Sequence, residues 1–296
     1  MPELPEMETY RALLSERIAG KRIRAAMVTR EKTINVPVDA FRSRVEGQRL
    51  ARIDRRAKML LFRLDSGDSL LLHLMLGGSM FFGAPEEAPD RTAQVVLALE
   101  GGGSLFFHGL RLGYLHVYTP AELEEKLQGL GPEPLDPAFG PNNLTLQLRR
   151  KSRRAVKFAL TDQNVIAGIG NCYADEMCYS AGINPLRKLS SLSDGELQTL
   201  FNSMRSTLAE GIRYGGYMET PLFTGDSLTG GYNSRCKVYD RGGEPCIRCG
   251  TPITRTESSG RKVFFCGSCQ RQGGHINGGE DAVNDKAAMR ELVVHH

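Results

Sequence analysis

The stretch CIRCGTPITRTESSGRKVFFCGSC, residues 246–269, carries four of the seven cysteines of this 296-residue chain as two CxxC pairs. The four are Cys246, Cys249, Cys266 and Cys269, and sixteen residues separate the two pairs. This spacing is typical of a tetrahedral zinc site, in which four thiolates leave no position open for a catalytic water. A redox-active CxxC motif is the alternative, but two pairs around one short segment favour a single structural Zn²⁺ in a finger at 241–272.

The segments on both sides of this finger are rich in small and polar residues. Residues 215–235 contain many Gly, Thr and Ser residues, which indicates a mobile loop. The segment 273–296 is polar and begins with several glycines, so we expect a disordered tail there.

A helical pattern occupies the region before the loop. Ser193 and Glu196 have the spacing of a capping box, and an apolar stripe follows them at helical intervals. The stripe consists of Leu197, Leu200, Phe201, Met204 and Leu208. These features predict a mainly α-helical domain at 146–240.

A proline-rich segment separates this helical region from the first part of the chain. The sequence GPEPLDPAFGPN at 131–142 contains four prolines and two glycines, so we expect a domain connection at 131–145. Short apolar runs with glycine-containing breaks precede it, at 59–64, 69–76, 94–99, 104–107 and 114–118. The pattern predicts an α+β fold in which residues 1–130 form a β-sandwich or barrel.

An amphipathic helix should lead this first domain. In PELPEMETYRALLSERIAG, Met7, Tyr10, Leu14 and Ile18 lie at helical spacing, and Gly20 suits the position just past a helix end.

The N-terminus itself carries residues that could take part in a reaction. Removal of Met1 would leave Pro2 with a secondary α-amine, which titrates near pH 8 and is partly unprotonated at neutral pH. Such an amine can attack a sugar C1′ and form a permanently cationic iminium. Glu3 and Glu6 lie close enough in sequence to act as proton donor and acceptor. An ordinary Pro-Glu N-terminus remains the alternative.

Charge and hydropathy narrow the class of protein. The net charge is only +4, but six basic residues lie within 149–157, which suits either a phosphate backbone or a solvated surface. No stretch approaches the roughly 20 apolar residues that a membrane span needs, and the N-terminus lacks the features of a signal peptide. We therefore expect a cytosolic protein.

A glycine-rich turn precedes one of the predicted helices. The Gly-Ile-Gly-Asn sequence at 168–171 offers backbone N–H groups and the Asn171 amide, which could bind a phosphate. A tight turn between helices explains the same residues equally well.

Several separated motifs together resemble the formamidopyrimidine-DNA glycosylase (MutM) and endonuclease VIII family. In chain order they are MPELPEMET, RRAKMLLF, the His73-Leu74 pair, LGPEPLDPAF, VIAGIGNCYADEMCYSAGINP, VYDRGGEPCIRCGTPI and FFCGSCQ. The resemblance extends from residue 2 to about residue 270.

This resemblance implies a fold and an activity. The fold would be a β-sandwich, a helix–two-turn–helix domain and a zinc finger, with double-stranded damaged DNA in the cleft between the two domains. The activity would be a bifunctional DNA glycosylase and abasic-site lyase, acting as a bacterial cytoplasmic monomer.

The resemblance also assigns roles to residues. Pro2 would be the nucleophile, Glu3 the acid/base, and Lys58 a catalytic-site lysine that contacts a phosphate. Contacts to DNA would come from His73, Arg111, Lys157, Asn171 and Arg261. Arg261 would approach the flipped nucleotide, which must leave the stack because its glycosidic bond is otherwise inaccessible.

The departures from the family pattern concern lesion recognition. The family motif HLGMSG reads HLMLGG here, which puts Leu76 where a methionine fills the gap left by the flipped base. The loop at 108–113 has Leu110 in place of an arginine that reads cytosine and Leu112 in place of a wedge phenylalanine. We expect Leu76 and Leu112 to fill the void, and selectivity for the opposite base to be weak.

Two other functions remain open from the sequence. One is a paralogue that binds damaged or structured DNA with little glycosylase activity on 8-oxoguanine. The other is a zinc-stabilised protein-interaction module, which would lack strongly salt-dependent DNA binding.

Overall fold

A computed structural model describes residues 1–270, and the tail expected at 273–296 lies outside this range. The first part of the chain contains α1 (Leu4–Ile18), β1 (Ile23–Val28), α2 (Val38–Val45), β2 (Leu50–Arg56), β3 (Met59–Leu64), β4 (Ser69–His73), β5 (Ser79–Gly83), β6 (Ala93–Leu99), β7 (Ser104–His108), β8 (Tyr114–Tyr118) and α3 (Pro120–Leu127). The second part contains α4 (Pro141–Arg149), α5 (Val156–Leu160), α6 (Asn171–Ser180), α7 (Asp194–Arg213), β9 (Thr254–Ser258) and β10 (Arg261–Phe265).

Two four-stranded antiparallel sheets form the first part, with strand orders β1-β6-β7-β5 and β2-β3-β4-β8. Their apolar faces share one core with α1, in which Met7, Leu14 and Ile18 are fully buried. The predicted α+β fold with a leading helix and a β-sandwich is therefore confirmed. Strands β1, β2 and β5 were not predicted.

The helical region has its own core, built around α6 and α7. Helix α7 begins with the predicted capping box: Ser193 Oγ accepts from the Glu196 N–H, and the Glu196 carboxylate accepts from the Ser193 N–H. Helix α4 begins at Pro141, so the irregular connection between the two parts ends one residue earlier. Among residues 1–270, no helix combines the length and apolar character needed to cross a membrane.

The start of α1 joins the two parts. Leu4 belongs to the helical core, whereas the rest of α1 packs on the sheets. The Leu4 N–H donates to the Gly168 carbonyl at 2.9 Å, and a Cβ on Gly168 would lie 2.8 Å from that of Leu4. The N-terminus is therefore fixed against the glycine-rich turn before α6.

A buried ion pair fixes the β9–β10 hairpin to the helices. The Lys157 ammonium lies 2.7 Å from Asp175 Oδ2 and donates to the Lys262 carbonyl at 2.6 Å. Asp175 Oδ2 also accepts from the Phe264 N–H. The pair thus holds β10 at two backbone positions.

This arrangement corrects the expectation that Lys157 contacts DNA. Its side chain is fully buried, so its ammonium does not reach a surface on which a phosphate could bind. Two other residues of the basic run at 149–157 form ion pairs within the protein, because Arg149 pairs with Asp194 and Arg154 with Asp162.

We expect Lys157→Met to lower the free energy of unfolding by about 3–5 kcal/mol, because it leaves the Asp175 carboxylate buried without a cation. Chemical denaturation measures the change. Arg153→Met, at an exposed position of the same basic run, is the matched control and should stay within about 0.5 kcal/mol of the wild type. Equal effects of the two substitutions would contradict the structural role of Lys157. The double variant with Asp175→Leu should recover part of the loss.

Candidate active site and nucleic-acid interface

A cavity of about 380 Å³ lies between the two parts of the chain, beside the N-terminus. Its lining consists of Met1, Ala57, Lys58, Met59, His73, Met75, Leu130, Thr161, Gln163, Gly170, Asn171 and Arg261. Four residues that the sequence analysis assigned to the site are among them: Lys58, His73, Asn171 and Arg261. Residues far apart in sequence are therefore brought together at the amino end of the chain.

Glu3 is buried against Gly170, one of the cavity-lining residues. It is the N-cap residue of α1, and its carboxylate accepts from the N–H groups of Gly170 at 2.6 Å and Cys172 at 2.9 Å. These N–H groups belong to the start of α6, where unpaired amides and the helix dipole favour a negative charge. Pro2 is also buried, and the preceding Met1 lines the cavity.

Lys58 stands beside Glu3 and is almost fully buried. A Cβ on Gly170 would lie 2.5 Å from the Glu3 carboxyl carbon and 2.8 Å from Lys58 Nζ, so only glycine fits there. Burial lowers the pKa of Lys58, while the charges of Glu3 and Glu6 oppose this shift. The ammonium therefore lies near a carboxylate and is largely shielded from bulk solvent, so that electrostatic interactions are stronger than in water.

The turn that carries Lys58 is anchored to the connection between domains. Ala57 has a positive φ of 53°, and its N–H donates to Glu133 at 2.7 Å. Arg55 and Arg56 both pair with the same Glu133 carboxylate. This ionic cluster explains why the Arg-Arg-Ala-Lys sequence has a fixed position.

Glu6 is a second buried carboxyl group, which accepts from the Glu3 N–H, the Tyr173 hydroxyl and the Tyr217 N–H. Burial and the charge of Glu3 raise the pKa of Glu6 to about 7, although its three hydrogen bonds lower it. Glu6 can therefore gain or lose a proton near neutral pH. It lies one helical turn from Glu3, which is the only sequence signal for its location.

His73 is the last residue of β4, and it lines the cavity. Its Nε2 is buried without a hydrogen-bond partner among the described residues, and its ring meets Tyr114 edge to face. Burial lowers the pKa of His73 to about 4, and the positive charges of Lys58 and Lys126 add to this effect. The imidazole is therefore neutral at neutral pH.

Arg261 extends from β10, and its guanidinium donates to Thr161 Oγ1 at 2.6 Å. Arg261 and Thr161 also line a neighbouring open depression, together with Arg154. Thr161 and Gln163 line both spaces but were not predicted from the sequence. No motif distinguishes these two residues, because they acquire their position only through the packing of α5 against the hairpin.

Two loops present apolar side chains away from the cavity. Leu76 and Leu112 are 65% and 63% exposed, and Arg111 is also exposed but does not line the cavity. Leu110 differs from these three, because it is buried in the core of the first domain. Leu110 therefore has a packing role, and an arginine at this position would place a guanidinium in an apolar core.

The four cysteines of the finger converge at the other end of the hairpin. The sulfur atoms of Cys246, Cys249, Cys266 and Cys269 all lie within 4.8 Å of one another. Four thiolates at this separation suit tetrahedral Zn²⁺, whose sulfur ligands lie about 2.3 Å from the metal.

Comparisons with known proteins match three family models along the chain. Residues 1–115 match the formamidopyrimidine-DNA glycosylase N-terminal domain, residues 130–221 its H2TH domain, and residues 243–272 a zinc finger found in FPG and IleRS. A formamidopyrimidine-DNA glycosylase of Geobacillus kaustophilus is 39% identical over 276 residues, covering 92% of this chain and all of the relative.

Solved structures of MutM (Fpg) proteins are also similar to this chain. MutM (FPG) from Thermus thermophilus superimposes with a TM-score of 0.82 at 35% identity, covering 92% of this chain and 100% of that protein. Lactococcus lactis Fpg in complex with DNA that contains an abasic site has a TM-score of 0.84 at 26% identity, with 91% of this chain and 99% of that protein covered.

The proximity of Lys58 to His73 predicts that the charge of the lysine affects the pKa of the imidazole. Its NMR titration midpoint should lie near pH 4, and Lys58→Met should raise this midpoint, because the lysine is protonated at that pH and disfavours the imidazolium. The folded pKa lies below the unfolded value of about 6.5, so His73 contributes stability that is lost as the pH falls from about 6.5 to 4. The Arg153→Met protein serves as the control. An unchanged or lower midpoint in Lys58→Met would contradict the described placement.

Proposed function

The chain belongs to the formamidopyrimidine-DNA glycosylase family, and we propose on that premise that it removes damaged bases and cleaves abasic sites through the amine of Pro2. The observation that carries this proposal is the position of the N-terminus. Met1 lines the cavity, Pro2 lies buried next to it, and Glu3 and Lys58 complete the surroundings. Removal of Met1 would open the cavity toward the Pro2 nitrogen.

The proposed reaction begins with attack of this nitrogen on C1′ of the extruded nucleotide. The bond from C1′ to the base breaks, the base leaves with a proton, and the ring-opened sugar becomes a cationic iminium. Loss of a C2′ proton then expels the 3′ phosphate, and loss of a C4′ proton expels the 5′ phosphate. Water finally hydrolyses the iminium and restores the free amine.

Glu3 and Glu6 are suited to the proton transfers that these steps need. We assign Glu3 as the acid/base residue, because its carboxylate is held beside Lys58 and the start of α6. Glu6 accepts the Glu3 N–H, and its pKa of about 7 allows both protonation states at neutral pH. Glu6 would therefore support the charge changes at the neighbouring amine.

The polar wall of the cavity suits the phosphates that flank the damaged nucleotide. Lys58, Asn171 and Arg261 contribute an ammonium, an amide at a helix start and a guanidinium. His73 would take part as a neutral hydrogen-bonding group, since its pKa is about 4. Arg111 lies apart from this group on its exposed loop, where it would contact another phosphate.

Recognition of the opposite strand would depend on the two exposed leucines. Leu76 and Leu112 can fill the space left by the extruded nucleotide, but aliphatic side chains cannot form bidentate hydrogen bonds to a base edge. Within 108–113, Arg111 is the only guanidinium. We therefore propose weak discrimination among the opposite bases, with double-stranded damaged DNA as the partner and the protein acting as a monomer.

The remaining segments would have supporting roles. We assign 1–130 as the catalytic domain, 131–145 as the connection and 146–240 as the DNA-binding domain with a capping loop. The finger at 241–272 would bind one structural Zn²⁺ through its four cysteines, which fixes the hairpin that carries Arg261.

The nucleophile can be tested by borohydride trapping on duplex DNA with an abasic site. We expect trapping by protein that begins at Pro2 and none by protein in which Met1 is retained through a removable N-terminal tag, because the Pro2 nitrogen is then an amide. Pro2→Gly should trap less, because a primary amine forms a neutral imine that must gain a proton before hydride reduces it, whereas the iminium of a secondary amine is permanently cationic. Binding to DNA with a reduced abasic-site analogue is the control and should persist in all forms.

Two outcomes would overturn the assignment. Equal trapping with and without Met1 would show that another amine reacts. Tight binding by the free N-terminal form without any adduct would favour the paralogue that only binds damaged or structured DNA.

The zinc assignment can be tested with Cys249→Ser. We expect loss of the metal and weaker DNA binding, because three thiolates bind Zn²⁺ less tightly and the finger depends on the metal for its fold. Elemental mass spectrometry measures the metal content. Cys178→Ala, a buried cysteine of α6 outside the cluster, is the matched control and should keep the metal. Full metal content and DNA binding in Cys249→Ser would refute the assignment.

A further inference from the structure

The loop that joins β4 to β5 contains an unusual backbone conformation at Met75. Its φ is 52°, in the left-handed region that side chains other than glycine seldom adopt, and Gly77 follows with a φ of 84°. Holding an L-residue in this region costs free energy, so the surrounding structure must impose it.

Close packing of glycines imposes this conformation on the loop. A Cβ on Gly78 would lie 2.1 Å from the Leu74 carbonyl oxygen, and one on Gly113 would lie 2.6 Å and 2.7 Å from the His73 and Leu74 carbonyl oxygens. The Leu110 side chain lies against both glycines. The backbone on either side of Met75 is thus in direct contact with the 109–113 loop and cannot relax independently.

Met75 itself lines the cavity beside the N-terminus. It shares the apolar part of that lining with Met1, Met59 and Leu130, whereas the polar part contains the residues suited to phosphates. The following residue, Leu76, is 65% exposed and directed outward. The strained turn therefore separates two adjacent apolar residues, one on the cavity wall and one at the exposed tip of the loop.

We propose that Met75 is a specificity-determining residue, whose side chain limits the size of the damaged base that can enter the cavity and reach Pro2. This inference rests on the proposed function. Methionine suits such a position because its unbranched, flexible side chain adapts to different shapes while still occupying volume. The strained backbone fixes the point at which the Met75 side chain enters the cavity. The side chain therefore occupies volume that is then not accessible to the base.

The test compares excision of a large and a small lesion by the full-length protein. The large lesion is ring-opened guanine carrying a benzyl group on N7, and the small lesion is dihydrouracil. Single-turnover rates give a large-to-small ratio for each variant, and trapping on abasic DNA by the same variant gives its fraction of active protein. Met75→Ala should raise the ratio by about tenfold, the scale on which pocket volume alters selectivity.

Further variants separate the side chain from the backbone. Met75→Gly relieves the positive φ and also removes the side chain, so it should raise the ratio as Met75→Ala does. Met75→Leu restores the apolar volume and should return the ratio toward the wild-type value. Met27→Ala removes an exposed methionine of β1, remote from the cavity lining, and should leave the ratio unchanged.

The outcomes are distinguishable. An unchanged ratio in both Met75→Ala and Met75→Gly, or a rise in Met75→Gly alone, would overturn the role of the side chain while leaving the proposed function intact. Absence of borohydride trapping by the wild type would overturn the proposed function itself, and the inference with it.

Discussion

The position of the N-terminus beside the cavity depends on the contact between the Glu3 carboxylate and the N-terminus of α6. Two backbone N–H groups, from Gly170 and Cys172, donate to this one side chain across the boundary between the two parts of the chain. The contact is possible only because residue 170 has no Cβ. A charge-assisted bond buried in this way is stronger than one in water, so it fixes the chain terminus, which is usually the most mobile part of a protein.

Helix α6 extends this control to the rest of the second domain. Its Asp175 holds β10 through Lys157 and the Phe264 N–H, and its Glu176 accepts three consecutive N–H groups from residues 237–239. Burial of a carboxylate costs free energy unless its hydrogen bonds are satisfied. The Asp175 and Glu176 carboxylates therefore require these particular partners in these positions. One ten-residue helix therefore sets the relative positions of the N-terminus, the segment before the finger and the strand that carries Arg261.

The sequence was informative where local rules decide the structure. Cysteine spacing identified the finger, and the capping box at Ser193 and the apolar spacing in α1 identified two helices. Sequence patterns did not predict the structure where tertiary packing determines it. Strand β2 carries three arginines, and two of them, Arg55 and Arg56, pair with the distant Glu133, so its polar sequence did not indicate a strand. The burial of Lys157 depends on Asp175, a contact between two elements that charge patterns alone cannot indicate.

The departures from the family pattern at 73–78 and 108–113 lie in two loops that pack on each other, whereas Glu3 and Lys58 lie outside both loops. Glycine contacts and the buried Leu110 fix the backbone of both loops, so exposed residues such as Leu76 and Leu112 can vary without disturbing the fold. Glu3 and Lys58 have no such freedom, because each is buried against Gly170. This difference in constraint would allow the exposed loop residues to change while the buried arrangement around the N-terminus is retained.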